Sequence, residues 1–292
     1  MDEQKEIRNR LVHIHACKGI GWKTIAKFFD YDSTLKEIFN LEESELCSVF
    51  SMRADRAGRF YRDLHSTDIF DLFQEYQQKG IEIVTVFDEG YPPHLKEIFD
   101  PPWVLYCKGE VSIFLEPRML SVVGTRNPSR TGLQALKKLL VPLIQDGWGV
   151  VSGLADGIDG AAHRLSLSSR TIAVLGSGLD HIYPANSRPL ADEMAASHLL
   201  VSEYPPTVSA HPWQFPHRNR VISGMTAGTL VVEAREKSGS LITADQALEQ
   251  GRDVFAVPGS IFEPRSVGTN RLIQQGAKLV LNPEDLLEEW AP

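Results

Sequence analysis

From Met119 onward one pattern recurs along the chain: a short, almost wholly apolar run, then a helical stretch. The runs are Met119–Val123, Gly149–Ser152, Thr171–Leu175, Leu199–Ser202, Gly228–Val232, Asp253–Val257 and Lys278–Leu281. Helices are expected between them, among them Thr131–Gln145, Ser187–Ala196 and Ile242–Glu249. A strand that faces water on one side alternates polar and apolar residues, and these runs do not. They suit a parallel sheet covered on both faces. Regular strand–helix alternation implies a doubly wound α/β domain with right-handed crossovers. In such a sheet, ligands bind beyond the carboxyl ends of the strands.

The first part of the chain reads differently. Ile7–His15 is amphipathic with a helical period, Lys18-Gly19-Ile20-Gly21 interrupts it, and Trp22–Phe29 resumes it. Two helices about a Gly-Ile-Gly turn suggest a helix-hairpin-helix unit, whose turn amides can hold a phosphate. The same glycines also serve a plain connector. Two domains are expected: a small all-α domain over 1–66 and an α/β domain over 67–292. Ile81–Val86 and Val104–Tyr106 read as short strands between Pro-Pro punctuation at 92–93 and 101–102.

Composition removes several function classes. The 292 residues are 42% hydrophobic, enough for a sizeable core, with no apolar run of ~18 residues to span a bilayer. The N-terminus, Met1-Asp2-Glu3-Gln4-Lys5-Glu6, is charged and lacks an apolar signal region, so a cytoplasmic protein is expected. Three distant cysteines and nine histidines show no metal-ligand spacing, so neither a metal nor a cofactor is expected. Net charge is −8, so any nucleic-acid partner must meet a local positive surface.

That local charge lies in Phe215-Pro216-His217-Arg218-Asn219-Arg220-Val221-Ile222-Ser223-Gly224. The arginines either meet an anion or form a salt-bridge cluster with Glu203, Glu233 or Asp245. Trp213 and Phe215 beside them supply what an unpaired strand needs, a stacking face next to phosphate-neutralising groups, although both rings could simply pack. The strand-end loops add glycines and small hydroxyls. They comprise Gly124-Thr125-Arg126, Ser152–Gly160, Gly176-Ser177-Gly178, Ser202–Pro206 and Glu233–Ser240, the last including Lys237. A row of such loops before helix N-termini would make a phosphate-binding ledge. Asp156, Asp159 and His163 could be an acid, a base and an orienter, or a helix cap with its local hydrogen bonds. Gly176-Ser177-Gly178-Leu179-Asp180-His181 has histidine where a dinucleotide fingerprint needs a third small residue.

Taken together, these strings resemble the DNA-processing protein A (DprA/Smf) family over nearly the whole chain. Tyr91–Ile98, Pro101–Tyr106, Val123–Arg126, Ser152–Asp159, Ser202–Pro206, Phe215–Gly224 and Ser238–Ala244 carry the resemblance in order. It implies an extended Rossmann domain behind a sterile-alpha-motif-like helical domain. It also implies a non-enzymatic protein that binds and protects incoming single-stranded DNA during natural transformation and loads the recombinase RecA onto it. Single-strand binding protein and a second copy of the chain are the further implied partners. The family's DNA-contacting arginine falls on Arg126, and its glycine-rich loop and Phe/Arg-Asn-Arg segment on Gly153, Phe215, Arg218 and Arg220. Gly124, Thr125, Gly176, Trp213, Asn219 and Lys237 complete the expected DNA site, and Ile273 and Leu279 are expected at a dimer face or in the core. The pattern departs at His211–Pro212, where many relatives carry a basic residue. The chain ends soon after Trp290, so no C-terminal winged-helix domain is expected.

Two rivals remain. Thr226-Ala227-Gly228-Thr229 followed by Glu233 loosely resembles the phosphate-binding string of nucleoside-monophosphate phosphoribohydrolases, with Met225-Thr226-Ala227 where that string has Pro-Gly-Gly. The other is an interaction scaffold without its own DNA contact.

Overall fold

The computed structural model describes residues 2–288, so Trp290 lies outside the described residues. The chain packs as two units, one of residues 1–89 with 102–106 and one of 90–101 with 107–292.

The first unit carries α1 (Asp2–Ala16), α2 (Trp22–Tyr31), α3 (Glu43–Phe50), α4 (Ala54–Ser66), α5 (Ile69–Gln78) and strand β1 (Glu82–Thr85). Phe28 lies at the centre of the helices, edge-on to Phe50 at 4.7 Å and tilted against Phe60 at 5.5 Å. The α1–α2 turn is tied down by its own unit. Arg56 donates to the Gly19 carbonyl and, at 2.8 Å, to Thr24 Oγ1, and the Lys18 amide donates to Asp63 at 2.9 Å. Gly19 sits at φ 80°, which explains that glycine without a ligand.

β2 (Val104–Gly109) leads into the second unit, where the apolar runs read from sequence become β3 (Met119–Val123), β4 (Gly149–Ser152), β5 (Thr171–Leu175), β6 (Leu199–Ser202), β7 (Gly228–Val231), β8 (Asp253–Ala256) and β9 (Lys278–Leu279). They lie in the order β6-β5-β4-β3-β7-β8-β9. From β3 to β9 every neighbouring pair across this order is parallel. The helices are α6 (Pro93–Lys96), α7 (Arg130–Gln145), α8 (Ile158–Ser166), α9 (Arg188–Ser197), α10 (Gln214–Gly224), α11 (Gly239–Glu249), α12 (Val267–Gln274) and α13 (Glu284–Leu287). The protein is therefore α/β, with a mostly parallel Rossmann-like sheet and a helical N-terminal part. Leu136, Leu139, Leu140 and Leu143 of α7 pack with Val122, Leu230 and Phe255 of the sheet. Each such side chain contributes about 1.5–3 kcal/mol by leaving water.

This order creates one special edge. The chain steps outward from β3 through β4, β5 and β6, then returns to lay β7 on the other side of β3. The crossovers after β3 and β7 diverge there, which opens a crevice at the carboxyl ends of those strands.

Candidate nucleic-acid interface

The loop after β3 enters the crevice, and its backbone is fixed from three sides. The Thr125 amide donates to the Glu233 carbonyl at 2.7 Å, and Thr125's own carbonyl accepts from Ile158 at 3.2 Å. Arg265 Nε donates to the Asn127 carbonyl at 2.8 Å. Ser129 caps α7 through the Gly132 amide, and the buried Glu233 carboxylate accepts from the Ser129 amide at 2.8 Å and from its hydroxyl at 2.5 Å. Arg126 points out of this locked loop. It is exposed and makes no hydrogen bond or ion pair among the described residues. It lines a cavity of about 510 Å³ whose other walls come from α8, α10 and the first turn of α11.

The Phe215–Gly224 motif is helical, as α10, and buries its charge. Arg218 is 6% exposed; it donates to the carbonyls of Gly153, at 2.7 Å, and Val174, and to Asn219 Oδ1 at 3.2 Å. Burial pulls its pKa down to about 10, against the field of Asp159 and with help from Arg126. It forms part of the cavity lining, as does Asn219, whose amide holds the Gly239 carbonyl. Arg220 points elsewhere. Its guanidinium meets both Glu203 oxygens at 2.6 Å and the Asp100 carboxylate at 3.3 Å. The structure therefore does not bring Arg220 to the cavity; the Glu203 salt-bridge alternative describes it. His217 is neutral at pH 7, its pKa lowered to about 4 by burial and by Arg220.

The glycine ledge read from sequence takes a different form. A Cβ on Gly153 would lie 2.6 Å from the Arg218 guanidinium, one on Gly176 would lie 2.8 Å from the Phe215 ring, and one on Gly124 would lie 2.7 Å from Ile158. These glycines admit the chain's own side chains. The amides of Gly153, Gly124 and Ala155 are directed at the Asp159 carboxylate, a buried acid whose pKa is raised by burial against their pull and that of Arg218. At the crevice Glu233 thus already sits at the α7 N-terminus, and the Asp159 carboxyl takes up strand-end loop amides.

Asp156, Asp159 and His163 form no catalytic set. His163 is wholly buried; its Nδ1–H donates to Thr171 Oγ1 at 2.7 Å, which donates on to Val150, while Nε2 accepts the Leu154 amide. Burial pushes its pKa down to about 3. Leu154 sits at φ 55°, a strained conformation for a branched residue, held by His163 and by Ser187 on its carbonyl. Asp156 bonds Asn186 at 2.7 Å.

Phe215 lies on Gly176, half-buried, with its ring 5.3 Å from that of Tyr183. Tyr183 is 49% exposed and lines the cavity, as Phe215 does. Sequence reasoning passed over Tyr183, an aromatic before Pro184 in the connection between β5 and α9. The hydroxyls of Ser238 and Ser240, read from sequence as part of the strand-end ledge, lie with that of Thr243 on the α11 side of the same cavity. Trp213 is exposed and edge-on to Tyr204 at 6.0 Å, and it does not line the cavity. Lys237 is exposed, with no ion pair among the described residues, one residue before that lining. Ile273 is half-buried on α12, and Leu279 is 44% exposed on β9.

Residues 82–291 match the family model of DNA recombination-mediator protein A. The chain is 50% identical over 216 residues to the DNA processing protein DprA of Bacillus subtilis, covering 73% of each chain. It superimposes on the X-ray structure of DprA from Streptococcus pneumoniae with a TM-score of 0.83 and 36% identity, covering 96% of this chain and 97% of that one. A second solved structure, DprA from Helicobacter pylori, described for its single-stranded DNA binding mode, aligns with a TM-score of 0.66 and 29% identity over 72% of this chain and 95% of that one.

Proposed function

The chain belongs to the DNA recombination-mediator protein A family, and from that membership and the crevice geometry we propose that it binds single-stranded DNA at the carboxyl edge of its sheet. One observation carries the reading: Arg126, a guanidinium with no hydrogen bond or ion pair among the described residues, held at the mouth of a cavity by a loop pinned at Thr125 and Asn127. It neutralises a phosphate, while the Tyr183–Phe215 pair offers an unstacked base its face. Duplex DNA keeps its bases stacked and offers none. Arg218 acts from below, as a buried strut between β4, β5 and α10, and Gly124, Thr125, Gly153 and Gly176 shape the wall. Asn219 and Lys237 flank it. Trp213 and Arg220 stand outside the cavity, and Arg220 serves by fixing α10.

In this reading the protein is a recombination mediator rather than an enzyme. Glu233 occupies the α7 N-terminus and Asp159 the strand-end loop amides that a mononucleotide's phosphate would seek. Incubation with AMP is therefore expected to release no adenine, and release at enzymatic rates would overturn the assignment. The mediator role comprises protecting an incoming single strand during natural transformation and loading RecA onto it in the presence of single-strand binding protein, in the cytoplasm. A homodimer through Ile273 and Leu279 fits β9, which ends the strand order and presents an unpaired edge; two sites per dimer add avidity on a long strand. Adding the protein to RecA and a strand coated with single-strand binding protein should accelerate filament assembly, and Arg126→Ala should remove most of the acceleration. Equal acceleration by both proteins would separate loading from this site.

A further inference from the structure

The Arg126 loop stands between two hollows. The first is the cavity described above. The second is an open hollow of about 560 Å³ lined by Thr131 and Gly132 of α7, Glu233, and Gly259, Ser260 and Phe262 of the loop after β8. That loop also leaves the carboxyl edge of the sheet. It is joined to the Arg126 loop by Arg265, which donates to the Asn127 carbonyl at 2.8 Å, and to the β7 loop by the Ala234 amide on the Arg265 carbonyl at 2.7 Å. Its tip carries Ile261, 81% exposed, and Phe262, 90% exposed, on a turn fixed by the Ser260 hydroxyl and carbonyl.

Two apolar side chains held this far into water need a partner, and the charge around them says which kind. The nearby acids are matched internally: Glu263 by Arg265 at 3.0 Å, Glu236 by Arg271 at 2.7 Å, and Glu233 by Ser129. Besides Arg265 and Arg271, four further cations of these loops and of the start of α7 are not. Arg126, Arg130, Arg235 and Lys237 are exposed, and none has an ion pair among the described residues. A flat aromatic face in a setting of unmatched positive charge suits an anionic polymer with free ring faces. It suits a second protein's apolar surface less well, because docking one would bury those guanidinium groups unpaired.

Building on the single-strand reading, we propose that Ile261 and Phe262 with the hollow beneath them form a second base-stacking station for unpaired polynucleotide, continuous over the Arg126 loop with the first cavity. Phe262 stacks a base, Ile261 packs against its edge, and Arg130 and Arg235 neutralise the phosphates on either side.

Fluorescence anisotropy with labelled oligothymidines of graded length tests this on the full chain at fixed salt. Wild-type affinity should rise with length until both stations are filled. Because Phe262 is solvent-exposed, Phe262→Ala should fold normally. It should weaken the longer strands roughly five- to hundredfold while leaving the shortest bound strand unchanged. Phe262→Tyr, which keeps the ring, should restore the affinity. Arg126→Ala serves as the reference, because it should weaken every length. If Arg126→Ala weakens binding but Phe262→Ala matches wild type at all lengths, the second station is overturned and the first site stands. If wild type binds no length, both fall. If Phe262→Ala instead converts a sedimenting dimer to monomer with strand affinity unchanged, the face belongs to a second copy and the proposal is overturned.

Discussion

Arg126, Arg218 and Arg220 carry the same guanidinium in three settings. Arg126 stands exposed with no ion pair or hydrogen bond among the described residues, Arg218 is sunk beneath the cavity on two carbonyls, and Arg220 is clamped between Glu203 and Asp100. Sequence could rank these residues as cationic but not assign their settings, because the deciding partners are remote: Asp100 lies 120 positions from Arg220 and Gly153 lies 65 from Arg218. Removing Glu203 leaves a buried cation half-matched. Glu203→Ala should therefore destabilise the fold by about 3–5 kcal/mol in denaturant titration; a change below about 0.5 kcal/mol would mean the pair is idle. His163 sets a pH dependence. Its folded pKa of about 3 lies below the 6.5 of a free histidine, so the unfolded chain takes up the proton first as pH falls. Its contribution is complete above pH 6.5 and is lost progressively as pH falls toward 3. Denaturation midpoints between pH 7 and pH 4 should show this decline, with a shallower slope in His163→Asn. An unchanged slope would contradict the assignment.

Among the elements, the strands were the legible part. β3, β4, β5 and β6 coincide with the apolar runs, and β7, β8 and β9 stop one or two residues short of theirs. Burial on both faces writes itself into composition, which is why these runs could be read without a period. α10 was not legible as a helix. Its buried residues include Arg218, Asn219 and Arg220, so an apolar stripe never forms. The polar network that replaces the stripe is visible only once Gly153, Val174 and Glu203 are in place. The same logic reassigns the glycines, whose missing side chains serve packing between elements. Gly176→Ala should displace the Phe215 ring from its seat on β5. Stability should drop by about 1–3 kcal/mol, the usual range for overpacking, and single-strand affinity should drop with it. Wild-type affinity at undiminished stability would show that the ring does not need that seat.

At the scale of the molecule, alternation along the chain implied a doubly wound sheet; its strand order, seen only in the structure, places the crevice between β3 and β7. What alternation could not give was the crevice's contents: Glu233 fills the α7 N-terminus and Asp159 takes the loop amides, while Arg126 has no ion pair among the described residues. β9 ends the strand order with Leu279 exposed. A charge there should block edge pairing, so Leu279→Arg should sediment as a monomer where wild type sediments as a dimer; identical sedimentation would remove β9 from the interface. The central claim concerns a guanidinium that grips an unpaired strand. Its most direct measurement is a salt titration of affinity for single- and double-stranded oligonucleotides by wild type and Arg126→Ala. Wild type should favour the single strand, and Arg126→Ala should bind it more weakly with a log–log slope shallower by about 0.7, one phosphate contact. Equal affinity for both strands, or an unchanged slope in the variant, would contradict the account.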